Sequence, residues 1–434
     1  MPVCIDLFSG CGGLSLGLGR AGFNTLFGVE AHADAFATYE QNLIQKNPSR
    51  HKWPEWLPQQ AWRAEELLHK YEDELIALRG QIDLIAGGPP CQGFTTNGLR
   101  RPDDPRSQMV DVYLNYVAVI QPSLVLLENV QGFRSMRHRS GGTYAEYVRE
   151  QFEQLGYDVW HEIVKASDWG VPQRRPRFVL IAALKGSLRG INPFERLRVS
   201  RKMFLEQRQL GSTPVGVKQA ISDLQENLSP PMKDPEWGHL GFKSLNRNEE
   251  HDSAYQLLMR AGCYAQPSDM RLPRHRPDSI KRMKKILKSC DRGVCLRPAD
   301  RERLGIQKRS ITPLDPDAPS PTISTLPDDF IHYDVPRSMT VREHARIQSF
   351  PDWFSFKGPY TSGGKQRRNA CPKYTQVGNA VPPLLAEGLG ECLRSLRFIQ
   401  TTDDTAHLPN SVEVHGERLS QERKIFDRDL AASG

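Results

Sequence analysis

Between Val3 and Ala182 short apolar runs alternate with stretches of helical spacing, an order that confines this half of the chain to an α/β fold. The runs are Val3 to Phe8, Asn24 to Glu30, Ile82 to Ala86, Leu124 to Val130, a segment near 157–165 and Phe178 to Ala182. Open sheets of this kind bind ligands beyond the carboxyl ends of their strands. Four of those ends carry residues that do chemistry. The first runs into Ser9-Gly10-Cys11-Gly12-Gly13-Leu14, a glycine-rich turn that becomes a helix and lets backbone N–H groups approach a polar ligand closely. The second ends in Glu30, which accepts hydrogen bonds from ribose hydroxyls or serves as a carboxylate at a helix N-terminus. The third continues through Gly87-Gly88-Pro89-Pro90 to Cys91, readable as a nucleophile or as a buried structural thiol. The fourth ends in Glu128, and a parallel register brings it to the edge that carries Cys91.

The remaining segments follow from spacing and composition. A literal GxGxxG at Gly17–Gly22 lies a helix's length past the first strand and is an accidental match. Residues 45–63 read as a polar insertion, and Glu65 to Leu78 as a helix. The glycine-hinged stretch Gly93 to Arg106 reads as a lid whose Arg100, Arg101 and Arg106 meet phosphates. Helices are expected near 108–120 and 143–155. Arg174, Arg175 and Arg177 cluster before an apolar strand, which suits an anion or a base edge. Residues 186–335 lack clear periodicity and read as a separate, irregular domain. Within it, Arg271 to Lys288 carries eight Lys or Arg against one Asp, an electrostatic footprint for nucleic acid or a solvated basic face. Helices close the chain at 340–352 and about 384–398, before a polar tail from 401.

Composition narrows the class. The formal charge of +7 suits a polyanionic partner as well as an ordinary basic enzyme. Eight cysteines without a CxxC pair indicate neither a disulfide framework nor a zinc ribbon, so no metal is expected. No apolar run is long enough for a membrane span, which points to a cytoplasmic protein.

Six segments together resemble the DNA (cytosine-5)-methyltransferase family: Asp6-Leu7-Phe8-Ser9-Gly10-Cys11-Gly12-Gly13, Gly88-Pro89-Pro90-Cys91-Gln92, Glu128-Asn129-Val130, Gln173-Arg174-Arg175-Pro176-Arg177, Arg342-Glu343-His344-Ala345-Arg346 and Gln376-Val377-Gly378-Asn379. They stand in the family's order. The resemblance implies an S-adenosylmethionine-dependent methyltransferase Rossmann-like sheet in 1–185, completed by 336–400, with 186–335 as target-recognition domain. It implies double-stranded DNA as partner, a monomer on DNA, and S-adenosylmethionine held by Phe8, Ser9, Gly10, Gly12, Gly13, Leu14, Glu30, Pro90, Asn379 and Val381. The family's acid that contacts the adenine has no clear counterpart in Ala61 to Leu68.

The implied chemistry suits these residue types. Cytosine C5 is a poor nucleophile until a thiolate adds at C6, the role of Cys91. Glu128 donates to N3 and stabilises the resulting enamine. Arg175 and Arg177 contribute a positive field that favours the thiolate. Because C6 is inaccessible in a stacked duplex, the base must be flipped out, with contacts from the lid and from Lys281, Arg282, Lys284 and Lys285 offsetting the cost. A tRNA cytosine-5 methyltransferase shares the motifs but usually carries a Cys-Phe-Thr segment, absent here. A zinc deaminase needs PCxxC, and position 94 is Phe. A non-catalytic DNA-binding module predicts losses among Cys91, Glu128, Arg175 and Arg177, all of which are present.

Overall fold

The computed structural model describes residues 1–90, 108–139, 141–225, 230–248, 253–361 and 370–401. Six strands form the central sheet: β1 Val3–Leu7, β2 Asn24–Val29, β3 Leu84–Gly87, β4 Leu124–Val130, β5 Tyr157–Lys165 and β6 Pro176–Leu184. Their order is β2-β1-β3-β4-β6-β5. β1 to β4 run parallel, and β6 is antiparallel to both its neighbours. Strand order reverses between β1 and β3, the position at which open sheets leave a crevice. Gly87 permits the close pairing there, since a Cβ on it would collide with the Leu7 carbonyl.

Alternation of side chains assigns the two cores. Cys4, Leu84, Ala86, Leu124, Leu126, Val179 and Ile181 face one layer, which contains the helices Gly13–Arg20, Pro193–Gln207 and Pro383–Thr401. Ile5, Leu7, Ile85, Val125, Leu127, Phe178 and Leu180 face the other, with Ala64–Lys70, Gln108–Ile120 and Tyr144–Gln154. The C-terminal helix packs along Gly13–Arg20, so the end of the described chain completes a layer begun at its start. No helix of the described residues is long and apolar enough to cross a membrane.

Three segments differ from expectation. Residues 45–63, read as a polar insertion, pack inward in part: Leu57 and Trp62 are buried, and His51 bridges to Thr25 of β2. The helix expected over 65–78 is broken at Tyr71 into Ala64–Lys70 and Glu72–Ile76. The segment 186–335 is not irregular at its start. Pro193–Gln207 is a 15-residue helix, capped by the Asn192 side chain on the Phe194 N–H, with proline in the first turn where it is tolerated. Its Phe194, Leu197, Phe204 and Leu205 join the core of the sheet, a narrow apolar stripe hidden in the sequence among charged neighbours. Beyond it the segment's described elements are short apart from the 13-residue helix Pro277–Ser289; two small cores form there, while Tyr255, Met259, Leu314 and Phe330 join the core of the sheet.

Candidate active site

Register delivers the first wall of the site. Leu7 lies opposite Gly87, and Gly87 opposite Leu127, so Phe8 and Gly88 leave the sheet beside Glu128, which still pairs with Val179 of β6. With no side chain on Gly88, the Glu128 carboxylate comes against the turn, its Oε2 3.1 Å from where a Gly88 Cβ would stand. Asn129 Nδ2 donates to the Pro89 carbonyl at 3.1 Å and fixes the turn from the other side. Pro90 is half-buried at its end. Cys91 follows directly and lies outside the described residues, as do Arg100, Arg101 and Arg106.

Because β6 is antiparallel, it begins at the edge where β4 ends, and Arg177 pairs with Val130. Arg177 Nε stands 2.9 Å from Glu128 Oε1, both side chains nearly buried. The three clustered arginines have three destinations. Arg174 donates to the Gly293 carbonyl at 2.7 Å, joining the sheet to the middle segment. Arg175, at φ 22, is buried and donates to the Ala380 carbonyl at 2.8 Å. Only Arg177 reaches Glu128.

The second wall is the turn after β1. Phe8 and Gly10 have φ of 58 and 57, and Gly12 has φ 94. Left-handed backbone costs a phenylalanine about 1–3 kcal/mol and persists where surrounding structure fixes it. A Cβ on Gly10 would meet nothing within 4 Å, so the backbone there faces open space. Glu30 completes the wall, its Oε2 accepting from the Gly10 N–H at 3.0 Å and its Oε1 from the His32 N–H at 2.7 Å. Burial pushes the Glu30 carboxyl above its usual range, and these N–H groups oppose that rise. Ser9 is buried, and its Oγ has no hydrogen-bond partner among the described residues. Leu14 is buried in the core, so only its backbone is left for a ligand. Gly13 abuts the Val381 carbonyl, which brings exposed Asn379 and half-buried Val381 to the same turn. A surface with open backbone, an unpartnered buried hydroxyl and a ribose-type acid fits a nucleoside-bearing polar ligand.

Supporting residues were not legible as such. Asp6, inside an apolar strand, accepts from Ser15 Oγ at 2.6 Å and Ser15 N at 3.1 Å, tying the helix after the turn back to β1. Burial pushes its carboxyl up to about 7. Gln173 Nε2 donates to Gln348 Oε1 at 2.6 Å, and Gln348 Nε2 donates to the Val377 and Ala380 carbonyls at 2.8 and 2.9 Å. Thus the start of β6 and the turn that carries Asn379 are held as one unit.

Of the basic run, Lys281, Arg282, Lys284 and Lys285 lie exposed on the helix Pro277–Ser289, whose Ile286 is buried. Among the described residues no group of three or more His, Cys, Asp or Glu side chains is placed to hold a metal ion.

The doubly layered sheet, with its crevice between β1 and β3, is that of the Rossmann-like methyltransferases. A family model for C-5 cytosine-specific DNA methylases matches residues 3–395, and the chain belongs to that family. It is 30% identical to the type II methyltransferase M.DdeI of Desulfomicrobium norvegicum over 89% of this chain and 87% of the relative. It is 31% identical to M1.HphI of Haemophilus parahaemolyticus over 90% and 86% respectively. Among solved structures it is similar, with a TM-score of 0.60 and 26% identity, to a candidate DNA modification methyltransferase encoded within an Escherichia coli prophage, covering 92% of this chain and 100% of that one.

Proposed function

We propose that this chain methylates C5 of a flipped-out cytosine within one short sequence of double-stranded DNA, through a covalent bond from Cys91 to C6. The observation that carries the reading is the Glu128–Arg177 pair set against the Gly88–Pro90 turn, at the edge that also carries Glu30 and the open turn at Gly10. Addition of the Cys91 thiolate at C6 drives electrons toward N3, where Glu128 supplies the proton. Arg177 holds the Glu128 carboxyl group in place and offers further N–H groups to the oxygen on the same ring edge. C5 then takes the methyl group, the electrophile that S-adenosylmethionine supplies when bound. The N3 proton returns to Glu128 as C5 takes the methyl group, and loss of the C5 proton to a base with departure of Cys91 as thiolate restores the ring. Phe8, Ser9, Gly10, Gly12, Gly13, Leu14 through its backbone, Glu30, Pro90, Asn379 and Val381 hold the cofactor; Arg175 acts on the site by fastening the 379–380 turn.

In this reading residues 1–185 and 336–400 form the catalytic part and 186–335 the recognition part, with Pro193–Gln207 serving as its mount on the sheet. The setting is a bacterial restriction-modification or orphan modification system, with the protein a cytoplasmic monomer on DNA.

Bisulfite sequencing of DNA and total RNA from a methylation-free host expressing the chain tests this. Protection of cytosines in one short DNA motif, absent with Cys91→Ala, is the expected result; protection of a tRNA position alone, or none, overturns it. Glu30→Gln should weaken cofactor binding by about tenfold or more in calorimetry, because a charged acceptor is lost. Neutralising Lys281, Arg282, Lys284 and Lys285 together should lower the slope of log affinity against log salt by about 0.9 for each charge that contacts phosphate. An unchanged slope returns that helix face to plain solvent exposure.

A further inference from the structure

The middle segment carries a hairpin, β7 Met232–Lys233 with β8 Lys243–Ser244, whose tip is fixed in a way that packing does not require. One buried carboxylate organises it. Asp234 Oδ1 accepts from the Glu236 and Trp237 N–H groups at 3.1 and 2.6 Å, and its Oδ2 accepts from Ser244 Oγ at 2.5 Å. Its own N–H reaches the Phe242 carbonyl at 3.0 Å, and the Gly238 N–H returns to the Asp234 carbonyl at 2.9 Å. Arg274 holds the far side of the tip, donating to the Leu240 carbonyl at 2.9 Å. The chain at 270–272 adds a third extended piece, through Leu245 N to Met270 O and Leu272 N to Lys243 O.

Rigid backbone here displays side chains that bury little. Glu236 and His239 are exposed, and Leu240 is 51% exposed. Fixing a tip while leaving its side chains in solvent gains no core, but it cuts the ordering cost of a later contact.

A chain of contacts links the hairpin to the helix that follows Glu30 at the ligand edge of the sheet. Asp34 follows closely on Glu30 at the start of the helix Ala33–Tyr39, and it accepts from the Cys371 N–H at 2.9 Å. A Cβ on Gly358 would stand 2.8 Å from the Asp34 carboxyl carbon. Two residues on, the Tyr360 ring is covered by Arg271 at 3.5 Å, and the same guanidinium lies 4.5 Å from the Phe242 ring of the hairpin. Exposed Lys233 and Lys243 flank the tip, and the basic helix Pro277–Ser289 follows.

We infer that the tip from Glu236 to Leu240 reads base edges next to the target cytosine; this rests on the proposed DNA methylation. A polyanion is attracted by the flanking cations, and within that surface Glu236 is repelled by phosphate. A carboxylate there suits a base-edge donor instead, the N4 amino group of a cytosine in the major groove. His239 adds a second hydrogen-bonding group, and Leu240 an apolar contact for a thymine methyl.

The test is methylation of a DNA library randomised around the wild-type site, read by bisulfite sequencing, for wild type, Glu236→Gln, His239→Ala, Leu240→Ala and Asp234→Ala. Each tip variant is expected to lose discrimination at one flanking position by about fivefold to a hundredfold, with unaltered melting temperature, cofactor affinity and salt slope. Asp234→Ala, which frees the tip, should relax several positions together. Wild-type discrimination in every tip variant overturns the inference, and so does a change confined to the salt slope, which marks a phosphate contact. Absence of any DNA methylation by the wild type instead overturns the proposed function and this inference with it.

Discussion

Cys91→Ala is expected to abolish methyl transfer to DNA while leaving cofactor binding intact. Alanine keeps the backbone after Pro90, so the turn braced by Asn129 and the wall formed by Gly10 and Glu30 persist. What disappears is the group that makes C5 reactive, and no described neighbour replaces it: at this edge stand a carboxyl and a guanidinium, Glu128 and Arg177. Glu128→Gln should cost less, about 10²- to 10⁴-fold in kcat, the usual share of one proton-transfer group. A DNA substrate with fluorine at C5 separates the two roles, because fluorine cannot leave as the proton does. Wild type should form a covalent complex with it that survives denaturation, Glu128→Gln should form it slowly, and Cys91→Ala not at all. Turnover by Cys91→Ala at the wild-type rate would remove that residue from the mechanism.

How far the sequence carries can be judged from these residues. Glu30 and Glu128 are legible because each stands at or near the carboxyl end of a strand whose direction the alternating pattern already implies, and parallel strands deliver those ends to one edge. The Arg177–Glu128 pair is not legible, because it depends on β6 running against β4, a reversal that apolar runs alone do not signal. Spacing likewise groups Arg174, Arg175 and Arg177, whereas a left-handed residue at Arg175 sends their side chains apart. The helix Pro193–Gln207 is masked by its own charge: a narrow apolar stripe suffices to pack against the C-terminal helix and β5, and the remaining positions are free to be Lys, Arg and Glu. Asp6 and Asp234 act through backbone and hydroxyl donors close by in the chain, but nothing in a lone acid distinguishes such a brace from a surface charge.

Arg346, on the helix Val341–Ile347, stands at the centre of a buried ionic network. It is buried, and it donates through Nε to Asp352 Oδ1 at 2.6 Å, through Nη2 to Asp352 Oδ2 at 2.8 Å and Asp223 Oδ2 at 3.1 Å, and through Nη1 to the Ala220 carbonyl at 2.9 Å. Arg260 shares Asp223 at 2.6 Å, and Arg247 shares Asp352 at 3.3 Å. The network therefore clamps the chain around Asp223, Arg247 and Arg260 to the helix Val341–Ile347 and the residues just after it. Arg346→Met removes one member and leaves two buried carboxylates short of charge, which should cost about 3–5 kcal/mol at pH 7 in urea unfolding. The pH dependence separates this from lost packing. Burial pushes Asp352 up, but Arg346, with Arg342 and Arg247, outweighs it and holds the carboxyl below the ordinary range. A depressed carboxyl stabilises the fold above its unfolded pKa of about 3.9, and that stability is lost as pH falls through the folded value. The difference between wild type and Arg346→Met should therefore narrow below about pH 4, because wild type loses more. In both proteins an earlier decline begins near pH 6.5, since burial pushes His332 down to about 3 and His344 to about 4 while both titrate freely once unfolded. A difference that stays constant from pH 7 to 3 would mean that Arg346 acts by filling space, and that charge does not hold the two parts together.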